Sequence, residues 1–214
     1  MITRRILIAG AGASVTFAAA PHARATSEAS LRMTQARLST VPQGAQAIID
    51  DFTLPGGTAS NGNSWRYIAD GVMGGVSKGA MEAEKVAGRH AVRMTGQVSL
   101  DNNGGFIQLS LDLSHNGDDT DASKFTGIEI DTFGNGEEYN LHLRTPDLRR
   151  PWHSYRHSFV ARPVWQTQQI PFSQFEAHQA PAPLNVAKLR RLGILAIGRE
   201  FQADIAIGGL RFYA

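Results

Sequence analysis

Cysteine is absent from all 214 residues, which excludes disulfides, thiolate nucleophiles and cysteine-ligated zinc or iron–sulfur centres. Aromatic residues make up only 8% of the chain. No apolar run reaches the roughly 20 residues that a permanent membrane-spanning helix needs. A strong charge of one sign is also lacking, with 21 Lys and Arg against 19 Asp and Glu, a formal +2. Long stretches of helical period are missing as well. Without disulfides, a domain of this composition is held by its hydrophobic core, and its length suits one core better than two.

What is present begins with a leader. Arg4 and Arg5 precede an uncharged block rich in Ala, Gly and Ile at residues 6–20, and Ala23-Arg24-Ala25 then places small residues where a signal peptidase reads. Residues 1–25 are read as an export signal cleaved before Thr26, which sends the chain to the periplasm or the exterior. Thr3-Arg4-Arg5-Ile6-Leu7-Ile8 fits a twin-arginine pattern, with general secretion as the other route. Three other readings compete. A mitochondrial transit peptide would spread its arginines along one helix face, whereas here none lies between Arg5 and Arg24. An uncleaved anchor would need a longer apolar run. A dinucleotide fingerprint at Gly10-Ala-Gly12 fails because its third glycine position is Val15 and no helix with a following strand comes after it.

Losing the leader removes three arginines and no acid, so the formal charge falls from +2 to −1, 18 basic residues against 19 acidic. The precursor's isoelectric point of about 9.1 therefore belongs partly to the leader. Nucleic acid is not an expected partner of the mature chain, and no membrane span is expected after cleavage.

Residues 26–46 are polar and read as a linker. From residue 47 to 214, short apolar-alternating runs are bounded by Gly, Pro, Asn and Asp. Strands are expected at 47–53, 65–69, 80–86, 90–95, 105–113, 126–133, 138–145, 154–161, 165–170, 192–198 and 203–213. Tyr139, Leu141 and Leu143 alternate with Asn140, His142 and Arg144, the period of half-buried antiparallel strands. One short helix is expected at 185–191. The last two runs read as strands paired near the centre of one sheet. Many strands and almost no helix predict an all-β fold, a jelly-roll β-sandwich.

Several clusters carry the candidate chemistry, among them Trp165 to Phe175, which ends in Ile170-Pro-Phe-Ser-Gln-Phe. Asp70-Gly-Val-Met-Gly-Gly-Val-Ser-Lys-Gly79 holds four glycines, which let a backbone approach another group closely. Met73 and Val76 are expected to fold inward, and Asp70, Met73, Gly74, Gly75 and Ser77 are candidate ligand or partner contacts. The plain alternative is a structural plug at one end of the sandwich. Asn102-Asn103-Gly-Gly is a turn whose amides can also meet a sugar or a peptide. His142 and Arg144 leave one strand on the same face. Trp152 and Tyr155 stand among arginines in an aromatic–basic strip where Trp152 and Arg144 are candidate contacts.

Together these motifs support a resemblance. Trp65, Asp70-Gly-Val-Met-Gly-Gly-Val-Ser, Val98-Ser-Leu-Asp-Asn-Asn-Gly-Gly-Phe106, Gly134-x-Gly-x-x-Tyr139-x-Leu-x-Leu-Arg-Thr145, Trp165 and Pro171-Phe-x-x-Phe175 resemble the complex I intermediate-associated protein 30 domain in order and spacing over residues 48–213. The resemblance implies a galactose-binding-like jelly roll. It also implies a family best known for assembly factors of respiratory complex I, without established catalysis. The export signal departs from that setting. Some members are fused to nucleotide-binding folds. The one comparable Gly-x-Gly here lies in the leader, so no such fusion is expected.

Catalytic patterns are weaker. Gly75-Val-Ser77-Lys-Gly79 spells a nucleophile elbow but lacks the α/β setting that holds one. His142, His153 and His157 can be drawn as a metal cluster, but their spacing matches no metal pattern. The acidic run at 116–121 offers oxygens for calcium but lacks the closing glutamate of an EF-hand. No catalytic residue, metal ligand or cofactor is assigned. The chain is expected to be a non-catalytic binding module for a protein partner, with carbohydrate binding in the periplasm as the alternative.

Overall fold

The computed structural model describes residues 46–214, so the leader expected at 1–25 and nearly all of the linker expected at 26–46 lie outside the described residues; residue 46 opens the first strand. Twelve strands form two six-stranded antiparallel sheets. The first sheet contains β1 (Gln46–Asp50), β3 (Lys78–Val86), β4 (Arg89–Val98), β6 (Gly127–Gly134), β9 (Gln166–Pro171) and β12 (Phe201–Tyr213). Its order is β3-β4-β12-β6-β9, with β1 pairing the C-terminal end of β12. The second sheet runs β10-β8-β7-β11-β5-β2. These are Glu176–His178, Ser154–Val160, Glu138–Arg144, Arg191–Ile197, Phe106–Asp112 and Arg66–Ala69.

The alternation seen in the sequence builds the core. Ile107, Leu109 and Leu111 of β5, Leu141 and Leu143 of β7, and Ile194 of β11 face Ile128 and Ile130 of β6, Met94 of β4 and Ile205 of β12, all fully buried. The inner apolar face of each sheet packs against the other, with loop residues such as Trp65, Leu113 and Leu189 filling its margins, which is why the chain folds as a sandwich. Trp65 is pinned within this core. Its indole N–H donates to the buried Asp50 carboxylate at 2.7 Å, and its ring stacks on Phe52.

Two expectations need correction. β11 and β12 do not pair with each other; β11 lies between β7 and β5, and β12 between β4 and β6. The chain crosses from one sheet to the other at residues 198–200, so each strand is central in its own sheet. The short helix shrinks to a 3₁₀ turn, Val186–Lys188, capped by the Asn185 side chain, which accepts from the Ala187 N–H. Leu189 then bridges Thr120 and starts the approach to β11, so the backbone is extended before an α-turn can close.

The outer face of the first sheet is closed by charge pairing. The buried Asp131 accepts from Arg89, Thr167 and Arg211, and Arg211 also pairs with Glu129. The outer face of the second sheet and the loop end around Asp70 remain as places where a site can be built. Among the described residues, no helix is long and apolar enough to cross a membrane.

Candidate functional site

The glycine-rich loop is built around one carboxylate. Strand β2 ends at Ala69, and a 3₁₀ turn, Asp70–Met73, turns the Asp70 side chain inward until it is wholly buried. Asp70 accepts from the Ser77 N–H at 3.0 Å and from the Ser77 hydroxyl, and from the Gly105 N–H at 2.6 Å and the Phe106 N–H at 3.2 Å. Burial pushes this carboxyl up; the hydrogen bonds from Ser77, Gly105 and Phe106 outweigh it and hold the group below the usual range. The 70–79 loop and the Asn102-Asn103-Gly-Gly turn are thus one unit, joined through Asp70.

The glycines follow from that clamp. A Cβ on Gly75 would lie 2.4 Å from Asp70 Cγ and 2.7 Å from Gly104 Cα, and one on Gly104 would lie 2.6 Å from Asp70 Oδ2. Asn102 sits at φ 56°, a left-handed conformation its residue type tolerates, within the turn Asp101–Asn103. Ser77 is buried, and its hydroxyl donates to Asp70 and accepts from the Ser99 N–H. Its Oγ is therefore committed to the clamp.

The expected inward folding of Met73 and Val76 is not found. The charge is inside and the apolar side chains are outside: Val72 is 76% exposed, Met73 52%, Val76 39% and, on the clamped second loop, Leu100 48%. The four N–H and O–H donors draw Asp70 inward, and the tight turn at Gly74, with φ 92°, carries its neighbours outward. Val72 and Leu100 were not singled out in the sequence, because an exposed apolar residue leaves no periodic signal.

The outer face of the second sheet collects the remaining candidates. Strand register puts Glu176, Arg156, His142, Gly193, Ser110 and Arg66 in one row across the sheet. His142 and Arg144 do share this face. Burial first, then the charges of Arg156, His178 and Arg144, push the His142 imidazole down to about 3, so it is neutral at ordinary pH. His157 pairs with Leu141 on the other face, and its ring lies against Phe175. His178 of β10 is the histidine whose field His142 feels in its place. Among the described residues, no three His, Asp or Glu are placed to hold a metal ion. In the acidic run, Asp119 pairs with Arg190 and Asp121 accepts from the Ser123 N–H.

The guanidinium of Arg144 faces inward along its own loop. Its two terminal nitrogens donate to the carbonyls of Leu148, Arg150, Pro151 and His153 at 2.5–3.0 Å, which fixes residues 148–153. Trp152, 45% exposed, is displayed by that loop, with the Arg150 guanidinium 5.4 Å from its ring centre. Tyr155 is a core residue whose hydroxyl donates to the Ala182 carbonyl at 2.8 Å.

Comparison with known proteins adds a family and a fold. The family model described as complex I intermediate-associated protein 30 matches residues 54–207. No curated protein matches the chain. Among solved structures, it is similar to the family 11 carbohydrate-binding module of the cellulosomal cellulase Lic26A-Cel5E of Clostridium thermocellum, at 14% identity and a TM-score of 0.63, over 80% of this chain and 95% of that one. The family 11 module from Clostridium thermocellum in complex with a β-1,3-1,4-mixed-linked tetrasaccharide is similar at 16% identity and a TM-score of 0.60, over 79% and 95%. At such identities the likeness shows the fold alone, the galactose-binding-like jelly roll.

Proposed function

This chain belongs to the complex I intermediate-associated protein 30 family, and from that premise we propose that it is an exported, non-catalytic binding module that docks a protein partner through its clamped loop end. The observation that carries the reading is the reversed polarity there. Val72, Met73, Val76 and Leu100 face solvent on loops that Asp70 holds rigid. Apolar side chains on a preorganised surface lose little entropy on binding, which suits a protein contact. Methionine adapts to the shape of an apolar groove. A binding role is further supported by Ser77, whose hydroxyl is bound to Asp70, and by His142, which is too buried to exchange protons near neutral pH. The leader at residues 1–25 supports action in the periplasm, where a membrane-complex assembly role would need an outward-facing client.

A photo-crosslinking residue at position 73, in cells expressing the full chain, tests this. A discrete adduct with one protein is expected at 73 and not at the equally exposed Val164. Identical adducts at both positions, or none at 73, would overturn the reading.

A second reading, saccharide binding on the outer face of the second sheet, is favoured by its side chains. Asn140, Gln108 and Ser158 offer the amides and hydroxyl that match sugar hydroxyls, and Trp152 stands exposed at the end of the neighbouring loop. A family 11 module of similar fold is described in complex with a mixed-linked tetrasaccharide.

A further inference from the structure

One end of the second sheet's outer face carries a like-charge pair that, among the described residues, is balanced only by an aspartate shared with a third arginine. Arg144 of β7 and Arg191 of β11 are directly opposite one another in the register. Like charges so placed destabilise a sheet. Burial and the nearby Arg191 charge both lower the Arg144 pKa. Arg190 immediately precedes β11, and the three arginines line a cleft of about 340 Å³ together with Asp112, Thr145 and Leu148.

The cleft's hydrogen bonding is incomplete. Arg191 uses its Nε on Asp112 at 2.6 Å, and Arg190 uses its Nε on Asp119 at 2.7 Å. Among the described residues, the terminal nitrogens of both make no hydrogen bond, so each keeps two donor groups for a ligand. Thr145 and Pro146 complete the wall. Asp112 is shared with Arg66, so four arginines here face two aspartates. Guanidinium forks bind planar carboxylates with two parallel bonds. Asp112 would repel a doubly charged anion but can accept a hydroxyl, and Leu148 offers an apolar wall to a ring.

We propose that this cleft binds the carboxylate of a hexuronate, one sugar-acid residue of an acidic saccharide, between the Arg190 and Arg191 guanidiniums. The cleft has room for a single sugar ring. The assignment rests on the saccharide reading and sharpens it from sugars in general to acidic ones; it is independent of the loop end.

Calorimetric titration of the mature chain with glucuronate and galacturonate, the neutral mixed-linked tetrasaccharide, glucose and inorganic phosphate tests it. At least one uronate should bind about tenfold or more tightly than glucose and than phosphate, and Arg191→Gln should weaken it about tenfold. Arg190→Gln, at a more exposed position, should do the same without disturbing the sheet. Uronates bound no tighter than neutral sugars would overturn the carboxylate assignment and leave the saccharide reading standing. No binding of any sugar would overturn both. Phosphate bound as tightly as uronate would reduce the cleft to a general anion site and overturn the assignment, as would uronate affinity unchanged in both variants.

Discussion

The carboxylate of Asp70 accepts the backbone N–H of Gly105 at 2.6 Å across 35 residues of chain. That bond, with those from Ser77 and Phe106, turns two glycine-rich segments into one rigid surface. It also explains why a loop rich in glycine ends in a buried charge.

Removing the acceptor leaves buried donors without a partner, which costs more than the bond itself contributes. Asp70→Ala should therefore destabilise the domain by about 2–4 kcal/mol, and Asp70→Asn by less. The folded-state pKa lies below the unfolded one, so the carboxylate's contribution is complete above about pH 4 and fades as the pH falls through the folded value. Urea unfolding at a series of acidic pH values should show a slope in the native protein that Asp70→Asn reduces.

The clamp also sets which glycines can change. Gly75→Ala places a Cβ against Asp70 and the Gly104 backbone, while a Cβ on Gly71 meets nothing within 4 Å. Gly75→Ala should lose about 2 kcal/mol or more through this overlap, and Gly71→Ala should stay within about 0.5 kcal/mol of the native chain. Hydrogen exchange of the Gly105 amide should speed up in the first variant only.

Arg144 should prove structural. A lysine has a single ammonium and cannot reach four carbonyls arranged around a planar fork. Arg144→Lys is expected to cost about 1–3 kcal/mol and to loosen residues 148–153. Trp152 fluorescence anisotropy and amide exchange across that loop would report it; unchanged values would argue that the loop holds itself.

His142 should resist protonation. Its folded pKa, near 3, lies below the unfolded value of about 6.5, so acid favours the unfolded chain. The stability it contributes is complete above that unfolded value and falls as the pH drops toward 3, by about 1–1.5 kcal/mol at pH 5.5. Its ring proton signals should not titrate between about pH 5 and 8. His142→Gln should flatten the slope below pH 6.5.

The strands were legible because alternation is local: the inward residues of β5, β6 and β7 can be picked out one by one from spacing alone. β10 was not, because three residues pairing with β8 carry too short a pattern. In the candidate site, the glycines of the two loops were visible and the reason for them was not. Asp70 reads as an ordinary loop aspartate until Gly105 is brought beside it. The histidines illustrate the same limit, since His157 is near His142 in sequence yet opposite in face, while His178 arrives from a different strand.

By itself, the sequence determined that this is a cysteine-free chain of short antiparallel strands with a family's loop motifs, because period, composition and motif spacing are properties of neighbouring residues. Only the tertiary structure decided that Asp70 is buried and Val72 and Met73 exposed, that β11 and β12 serve different sheets, and that Arg144 meets Arg191 across a strand pair. Each of these depends on which distant strand supplies the partner, and pairing between distant strands is settled by burying the core as a whole.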